Sequence, residues 1–477
     1  MRENLRELSL RLPVTAILLL SALPLGCGRN VYQPRSRPAG AALPAPTRGN
    51  SESPSPESQT VATLPPEPTV EDYVRVALER NPSVRAARLR VRRLRQRIPQ
   101  VTSLDDPVVS VAPIGEMAET AAGQVGTMLG VSQKFPTPGK LRTRGQIAEQ
   151  EVAVARATEQ RVRLRVAAEV RRAYWSHYAA VRAIEVTEHS RDALSDIRRI
   201  ARSKYESGTV GQQDVLRASV ALSNLDNELV DLDRRRDSAA AMLNRLLDRP
   251  AGAQIPDPPV VELKGTDANL NSLLADAAAE NPDLLGLQER IDQYRVREQL
   301  ASLERWPDLT VSANYTAVRS SGLSPVADGS DQWWFGFTLN VPLWLEKLEA
   351  AEREAKLGRH QREADLADAR NRVTFELSDA LYRLRSDTRQ AELLKNTILP
   401  DAGQALQAAR ADYRAGREDF LTVLEAWRRR LELELMYHQA LARAEKDRAD
   451  LEQIVGHDPA GDNGKPAGER TDERQTR

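Results

Sequence analysis

Apolar side chains recur at spacings of three and four along a stretch that has no glycine or proline between Gly145 and Gly208. This is coiled-coil spacing, and it predicts one long helix from Gln146 to Ser207, about 93 Å at 1.5 Å per residue. His177 lies on the apolar seam of this helix and is interpreted as a packed residue. The seam consists of Val162, Val166, Val170, Ala173, His177, Ala180 and Ile184.

A different pattern, strict alternation of apolar and polar residues, occurs in shorter segments. One segment places its aromatic and aliphatic residues on one side and its small or polar residues on the other, which predicts a β-strand. The apolar side is Phe335, Phe337, Leu339 and Val341, and the other side is Gly336, Thr338 and Asn340. Two such segments come before each long helix.

The chain carries this whole pattern twice. KYESGTVGQQDVLRA, from Lys204 to Ala218, superimposes without a gap on DYRAGREDFLTVLEA, from Asp412 to Ala426. The correspondence extends to an Asn-Pro pair at the start of each repeat and to DPVVSV (106–111), which aligns with WPDLTV (306–311). The separation grows from 200 at the Asn-Pro pairs to 208 at the ends, so we expect two tandem structural repeats.

Each repeat is predicted to contain a helical hairpin. Proline disfavours helix in the preceding residue and suits a first helical turn, so each Asn-Pro pair separates two helices. Gly208 and Gly416 end long helices, and helices resume at once, which makes each glycine the tip of a hairpin. The first return helix, Gln212 to Arg249, is shorter than the descending one, and the helix from Pro282 to Arg305 is expected to stack on it.

The N-terminus reads as a secretory signal, because Arg2, Arg6 and Arg11 precede an apolar run too short to span a membrane. Cys27, the single cysteine, follows that run and resembles a lipoprotein acylation site, which makes it the predicted lipid anchor. A plain signal peptide and an uncleaved start remain alternatives. The predicted divisions are a signal peptide (1–26), a Pro/Ser-rich linker (27–68), repeat 1 (69–250), a connection (251–265), repeat 2 (266–456) and a disordered tail (457–477).

Charge and chemistry narrow the function. Lys plus Arg equals Asp plus Glu at 68 each, so net charge gives no reason to expect a nucleic-acid partner. The five histidines are scattered without metal-ligand spacing, and there is no phosphate-binding glycine loop. We therefore expect no catalytic residues, no metal site and no cofactor.

Four short strands cannot close a membrane barrel, because such barrels start at eight strands, so several chains would have to share one. Aromatic residues bracket the second repeat's strands as a membrane girdle would, with Trp306 and Tyr315 around one strand and Trp333, Trp334 and Trp344 around the other. The alternative is that they are core or interface aromatics of a soluble sheet.

These features together resemble the outer-membrane efflux protein (TolC-like) family, over about Thr69 to Gly456. The doubled tip motif, Y-x-x-G followed by V-L-x-A, and the two Asn-Pro starts carry the resemblance. ILPDAGQALQAARADYRAG (398–416) is also similar to the family's second hairpin, in which Pro400 should kink the helix. QKFPTPGKLRTRG (133–145) is similar to members that serve heavy-metal pumps.

The resemblance implies a mainly α fold with a small β part. Three chains would share a 12-strand barrel in the outer membrane, anchored in its lipid, and a periplasmic helical tunnel. It also implies a passive export conduit, gated at its tips, whose partners are a periplasmic adapter protein and an inner-membrane pump of the RND type.

Site residues follow from the same resemblance. Those matching the adapter-docking motif are Gly208, Val210, Val215, Leu216, Gly416, Val423 and Leu424. Asp214 and Glu425 are the expected acids of the periplasmic aperture. Thr422 and Glu418 depart from the family pattern, so its gating bonds need not transfer. The alternative functions are a periplasmic adapter, which should carry one hairpin and split β-domains, and a soluble coiled-coil scaffold.

Overall fold

The computed structural model describes residues 64–65, 67–114, 119–262, 265, 268–320 and 328–457, all within the unit of the chain that begins at Val61. The signal peptide, Cys27 and the C-terminal tail from residue 458 lie outside the described residues. The described part is mainly helical with one antiparallel sheet, as the sequence predicts.

Repeat 1 opens with two short helices separated by Asn81-Pro82. The Asn81 side chain caps the second helix by accepting a hydrogen bond from the Ser83 N–H. The helices of this repeat are α1 (Val70–Arg80), α2 (Pro82–Arg95), α3 (Arg97–Thr102), α4 (Lys140–Glu206) and α5 (Gln212–Leu246).

Repeat 2 has the same order, and Asn281 caps its second helix in the same way. Its helices are α6 (Leu270–Glu280), α7 (Pro282–Leu303), α8 (Leu345–Leu393), α9 (Leu399–Ala415) and α10 (Phe420–Val455). One π-helical turn, Leu394–Ile398, joins α8 to α9 and ends two residues before Pro400. A π-turn holds one extra residue, which explains why the separation between repeats grows from 207 at Lys140 and Lys347 to 208 at the tips.

Helix α4 begins six residues before the predicted start, because Gly145 lies inside the helix rather than ahead of it. A Cβ on Gly145 would come within 2.7 Å of the Thr102 Cγ2 atom, so the missing side chain lets α3 approach α4 closely. The glycine is a packing device here and not a helix breaker.

The predicted stacking of helices is correct in kind and wrong in partner. The Asn81 side-chain amide donates to the Leu246 carbonyl at the end of α5, so α2 continues α5 within repeat 1. The Asn281 amide donates to the Ile454 carbonyl at the end of α10, so α7 continues α10. Each long descending helix is therefore matched by two shorter helices of its own repeat.

Buried clusters run between the two repeats. Trp175 and Tyr178 of α4 pack in one cluster with Leu441 and Ala442 of α10, and His177 beside them is buried as predicted. A second cluster near the tips joins α4 and α5 to α9 and α10. The repeats are thus held together along the length of the helices.

The sheet has the order β1-β3-β4-β5, which brings the strands of both repeats side by side. Its strands are β1 (Val108–Pro113), β2 (Glu119–Thr120), β3 (Gly123–Phe135), β4 (Leu309–Arg319) and β5 (Gln332–Leu339), with the short β2 paired to the start of β3. Among the described residues, β1 and β5 each have a strand on one side only.

The strand register corrects one step of the repeat alignment. Val109 lies opposite Val131 in repeat 1, and Val311 lies opposite Phe337 in repeat 2. Because Val131 and Phe337 occupy the same place in their repeats, Val109 corresponds to Val311. The structural separation of these strands is therefore 202 rather than 200, and Asp106 corresponds to Asp308 instead of to Trp306.

A buried ion pair lies where the sheet meets the helices. The Lys140 Nζ atom, at the start of α4, is 2.8 Å from the Asp308 Oδ1 atom just before β4 and 2.9 Å from the Trp306 carbonyl oxygen. Both side chains are buried. Desolvation by itself raises the pKa of Asp308, but hydrogen bonds from Lys140, the Thr137 N–H and Lys134 outweigh it and hold that pKa well below its usual range.

Removing one partner of this pair should be strongly destabilising. Asp308→Ala leaves the buried Lys140 ammonium with the half-exposed Glu304, at 3.4 Å, as its remaining anionic partner among the described residues, and such a loss costs about 3–5 kcal/mol. We expect a clear fall in the thermal unfolding temperature. Asp196→Ala, which breaks an exposed pair with Arg199, is the matched control and should cost under about 1 kcal/mol. Equal effects of the two variants would contradict the assignment.

His438 of α10 should make the protein acid-sensitive. Burial, and secondarily the positive charge of Arg182, lowers the pKa of His438 to about 4. Between that value and the ordinary pKa of about 6.5, the unfolded chain binds a proton that the folded chain does not, so stability falls as the pH falls. At pH 5.5 this histidine should cost about 1 kcal/mol relative to pH 7.5.

The test is the shift in thermal unfolding temperature between pH 7.5 and pH 5.5. His438→Gln should reduce the shift, whereas His189→Gln, at an exposed position of α4, should leave it at the wild-type value. A shift unchanged by His438→Gln would overturn the prediction.

Candidate functional site

The two hairpin tips have the same backbone design. Gly208 and Gly416 have φ values of 73° and 74°, the left-handed region that glycine adopts without strain. In each tip the glycine N–H donates to the carbonyl of the tyrosine three residues earlier, Tyr205 or Tyr413, and the next N–H donates to the carbonyl five residues back. This is the Schellman motif, and it confirms the predicted helical reversals.

The side chains of the two tips differ in burial. Val423 and Leu424 of the second tip are buried in the cluster between the repeats, and only 3% of Leu424 is exposed. Its counterpart Leu216 is 55% exposed, and Val215 is half-buried. Of the predicted docking residues, Gly208 and Gly416 are exposed and Val210 is half-buried, all on the turns. Val423 and Leu424 instead form the core of the tip.

A contact between the hairpins joins the predicted aperture acid Asp214 to Tyr413, with Lys204 beside it, two residues that the sequence analysis did not assign to the site. The buried Tyr413 hydroxyl donates to the Asp214 Oδ2 atom at 3.4 Å, and the Lys204 Nζ atom lies 4.8 Å from the centre of its ring. Burial and the Asp214 charge raise the pKa of Tyr413 to about 12. The only sequence signal is a tyrosine at this place in both repeats, and Tyr205 is exposed.

The two predicted aperture acids are in different environments. Asp214 is half-buried and accepts the Tyr413 bond. Glu425 is exposed on α10 and has no ion pair within the described part of the chain. Thr422 and Glu418 are used locally: the Thr422 N–H donates to the Asp419 carboxylate at 3.0 Å and its hydroxyl to Glu418 at 3.3 Å, near the start of α10.

The sheet has two chemically different faces. The register places a mainly apolar set of residues on one face, which also includes Gln133: Val109, Val111, Leu129, Val131, Phe135, Leu309, Val311, Ala313, Tyr315, Trp333, Phe335, Phe337 and Leu339. The opposite face carries mainly small and polar residues, among them Ser110, Gly130, Ser132, Ser312, Asn314 and Gly336. Phe335 and Phe337 are 72% and 73% exposed, so the described residues do not cover this apolar face.

The register also locates the predicted girdle. Tyr315 and Trp333 are cross-strand partners with ring centres 4.9 Å apart, and Trp306 and Trp344 are exposed at the end of the sheet nearest the helices. Trp334 is opposite Asn314 on the polar face. Because consecutive residues of a strand point to opposite faces, Trp334 does not share a face with Tyr315 and Trp333, so these three residues of the predicted girdle do not form one aromatic band.

No group of histidine, cysteine, aspartate or glutamate side chains able to hold a metal ion occurs among the described residues. None of the described helices combines the length and the apolarity needed to cross a membrane. The features of the described part that bear on function are the two hairpin tips and the sheet, which has one apolar and one polar face.

Comparison with known proteins agrees with this geometry. Residues 73–249 and 273–457 match the family described as Outer membrane efflux protein, so both repeats are covered. The chain is 25% identical to the cobalt-zinc-cadmium resistance protein CzcC of Cupriavidus metallidurans, over 67% of this chain and 74% of the relative. It is 24% identical to the outer membrane protein OprJ of Pseudomonas aeruginosa, over 72% of each chain.

Solved structures show the same fold. The outer membrane protein VceC of Vibrio cholerae superimposes with a TM-score of 0.68 at 20% identity, over 81% of this chain and 96% of that one. The protein belongs to the outer membrane efflux protein family, and it is an outer-membrane channel component of an efflux system rather than an enzyme.

Proposed function

We propose that three copies of this chain form a passive export conduit, with their sheets joined into one 12-strand barrel in the outer membrane and their helices forming a tunnel into the periplasm. The observation that carries the proposal is the sheet itself, which exposes an apolar face and has no strand beyond β1 or β5 among the described residues. Four strands from each of three chains, β1, β3, β4 and β5, exceed the minimum for a membrane barrel and would leave no open edge.

Lipid is the partner that fits the apolar face. Strands β3 and β4 have 13 and 11 residues, enough to cross a bilayer when tilted. The polar face would then line a water-filled lumen, with Trp334 projecting into it. An acyl group on Cys27 would add a second attachment to the same membrane.

Native mass spectrometry of the protein extracted from outer membranes in mild detergent tests the assembly. The proposal predicts a trimer whose chains start at an acylated Cys27. A trimer whose chains start at an unmodified residue would contradict the lipid anchor but would still support the conduit. A water-soluble monomer would contradict the conduit and favour the adapter or scaffold alternative.

The proposed partner at the other end is a periplasmic adapter protein, which would link the conduit to an inner-membrane pump of the RND type. The exposed turns at Gly208–Val210 and at Gly416 are the surface we assign to this contact. The relative CzcC is named for resistance to cobalt, zinc and cadmium, which makes divalent metal ions a candidate cargo here. Cargo choice would rest with the pump, since a passive conduit needs no cargo site of its own.

A charge on the first turn should weaken adapter binding. Val210→Asp places a carboxylate in the proposed contact without touching a buried cluster, so the trimer should persist while the yield of adapter in a pull-down falls at least about tenfold, the equivalent of about 1.4 kcal/mol. Val260→Asp, at an exposed valine of the connection between repeats, is the matched control. Normal adapter binding by Val210→Asp would argue against docking at the turns.

Glu425 should set the ion selectivity of the tunnel. Threefold symmetry would place three Glu425 carboxylates around the periplasmic opening, and a ring of carboxylates favours cations. Glu425→Gln should lower the cation preference, measured as the reversal potential of reconstituted channels in a salt gradient. Glu376→Gln, an exposed position of α8, makes the same charge change elsewhere. An unchanged reversal potential in Glu425→Gln would sink the aperture assignment.

A further inference from the structure

The edge strands of the sheet, β1 and β5, indicate how one copy of the chain pairs with the next. We propose that β5 of one copy pairs with β1 of the next copy in a single register, with Leu339 opposite Val109 and Phe337 opposite Val111, and that Lys347 forms a buried ion pair with Asp106 across the same boundary. This inference rests on the proposed trimer and adds the residues that join its subunits.

The contact between repeats inside one chain supplies the template. Strand β3 ends repeat 1's part of the sheet and pairs with β4, the first strand of repeat 2. In a closed ring, β5 ends repeat 2's part and must pair with the next strand of the β1 kind. The β5–β1 contact between copies would join the counterparts of β3 and β4, so residues equivalent to those paired in β3–β4 should lie opposite each other.

The register follows from the counterparts. Gln133 lies opposite Val311 in the β3–β4 pair. Gln133 corresponds to Leu339 in the repeated segments LGVSQKFP and FGFTLNVP, and Val311 corresponds to Val109 by the strand register. Replacing each residue by its counterpart puts Leu339 opposite Val109. Because the strands are antiparallel, moving two residues along each strand then puts Phe337 opposite Val111.

The faces of the sheet provide a separate check on this register. Leu339 and Phe337 lie on the apolar face of β5, and Val109 and Val111 lie on the apolar face of β1. All four are more than half exposed in the single chain. A slip of one residue would turn the apolar residues of one strand toward the polar face of its neighbour, so the derived register is one that keeps the apolar face continuous.

The ion pair follows from the same relation. Lys140 and Asp308 form the buried pair between the repeats, and their counterparts are Lys347 at the start of α8 and Asp106 just before β1. Lys347 and Asp106 are both exposed, and neither has an ion pair within the described part of its own chain. Asp106 lies beside the open edge at β1 and is negatively charged, and Lys347 lies beside the open edge at β5 and is positively charged.

The helices show that the relation between repeats extends beyond the sheet. Trp175 is 6% exposed because it packs between the repeats, whereas Tyr382, its counterpart at a separation of 207, is 58% exposed. Leu424 and Leu216 differ in the same sense at the tips. Side chains buried between the repeats thus have exposed counterparts on the free sides of the chain, where the next copy would cover them. This assigns Leu216 to the subunit contact rather than to the adapter.

Cysteine cross-linking tests the register. Opposed residues of an antiparallel pair have Cβ atoms about 4.5–5.5 Å apart, within reach of a disulfide, whereas diagonal neighbours are about 7–8 Å apart. Leu339→Cys with Val109→Cys should give dimers and trimers on non-reducing gels after mild oxidation. Leu339→Cys with Val111→Cys should give at least about tenfold less, and each single variant controls for reaction at Cys27.

The outcomes separate this inference from the proposed function. Cross-linking of the Val111 pair alone, or of neither pair in a protein that is trimeric by native mass spectrometry, would overturn the register and leave the conduit standing. A monomer by native mass spectrometry would overturn both.

Charge exchange tests the ion pair. Lys347→Asp and Asp106→Lys should each lower the temperature at which the trimer dissociates in detergent, and the double variant should restore most of the loss. Asp105→Lys combined with Lys347→Asp is the matched control and should give no rescue, because Asp105 corresponds to Pro307 rather than to Asp308. Equal dissociation temperatures for the two double variants would contradict the pairing.

Discussion

The structure depends on how the edges of its sheet obtain backbone hydrogen bonds, because among the described residues β1 and β5 each pair with a strand on one side only. An edge strand presents a row of N–H and C=O groups, and in a bilayer there is no water to satisfy them. Within the described part of the chain, the two edges, β1 and β5, flank a sheet whose apolar face is left uncovered. In the proposed assembly, closing the sheet with further copies would satisfy the edges and turn the apolar face outward to lipid, and the helices would then be arranged around the same axis.

In the proposed assembly, the sequence repeat is what would make this closure possible. Because the first and second halves carry equivalent elements, the contact between β3 and β4 inside the chain can be copied between chains. The buried pair of Lys140 and Asp308 fixes the junction of sheet and helices within the chain. Its counterparts, Lys347 and Asp106, would fix the same junction between chains. The π-turn before Pro400 lets the second repeat accommodate one extra residue and still end in the same tip geometry.

Much of this fold could be predicted from the sequence because strong local signals specify it. The Asn-Pro pairs, the tip glycines and the alternating strand residues each have a single physical interpretation, and the structure confirms them. Gly145 misled the placement of the first long helix because its role, the close approach of Thr102, depends on a neighbour that local sequence does not reveal. The stacking of α2 on α5 likewise depends on where Asn81 finds a partner.

The candidate site was less predictable, because repeated residues look alike in sequence and differ in surroundings. Leu216 and Leu424 occupy equivalent places in the same motif, yet only Leu424 meets the other repeat. Trp334 adjoins Trp333 in the sequence and lies on the opposite face of β5. The surroundings of these residues depend on the neighbouring helix or on the face of the strand, and the local sequence motif does not specify either.

Cryo-electron microscopy of the protein in lipid nanodiscs tests the central claim most directly, because it shows how the sheet is closed and which face meets lipid. The account predicts a barrel of twelve strands from three copies, with Phe335 and Phe337 directed to lipid and Trp334 into the lumen. A sheet closed within one copy, or a barrel with Trp334 on the lipid side, would contradict it.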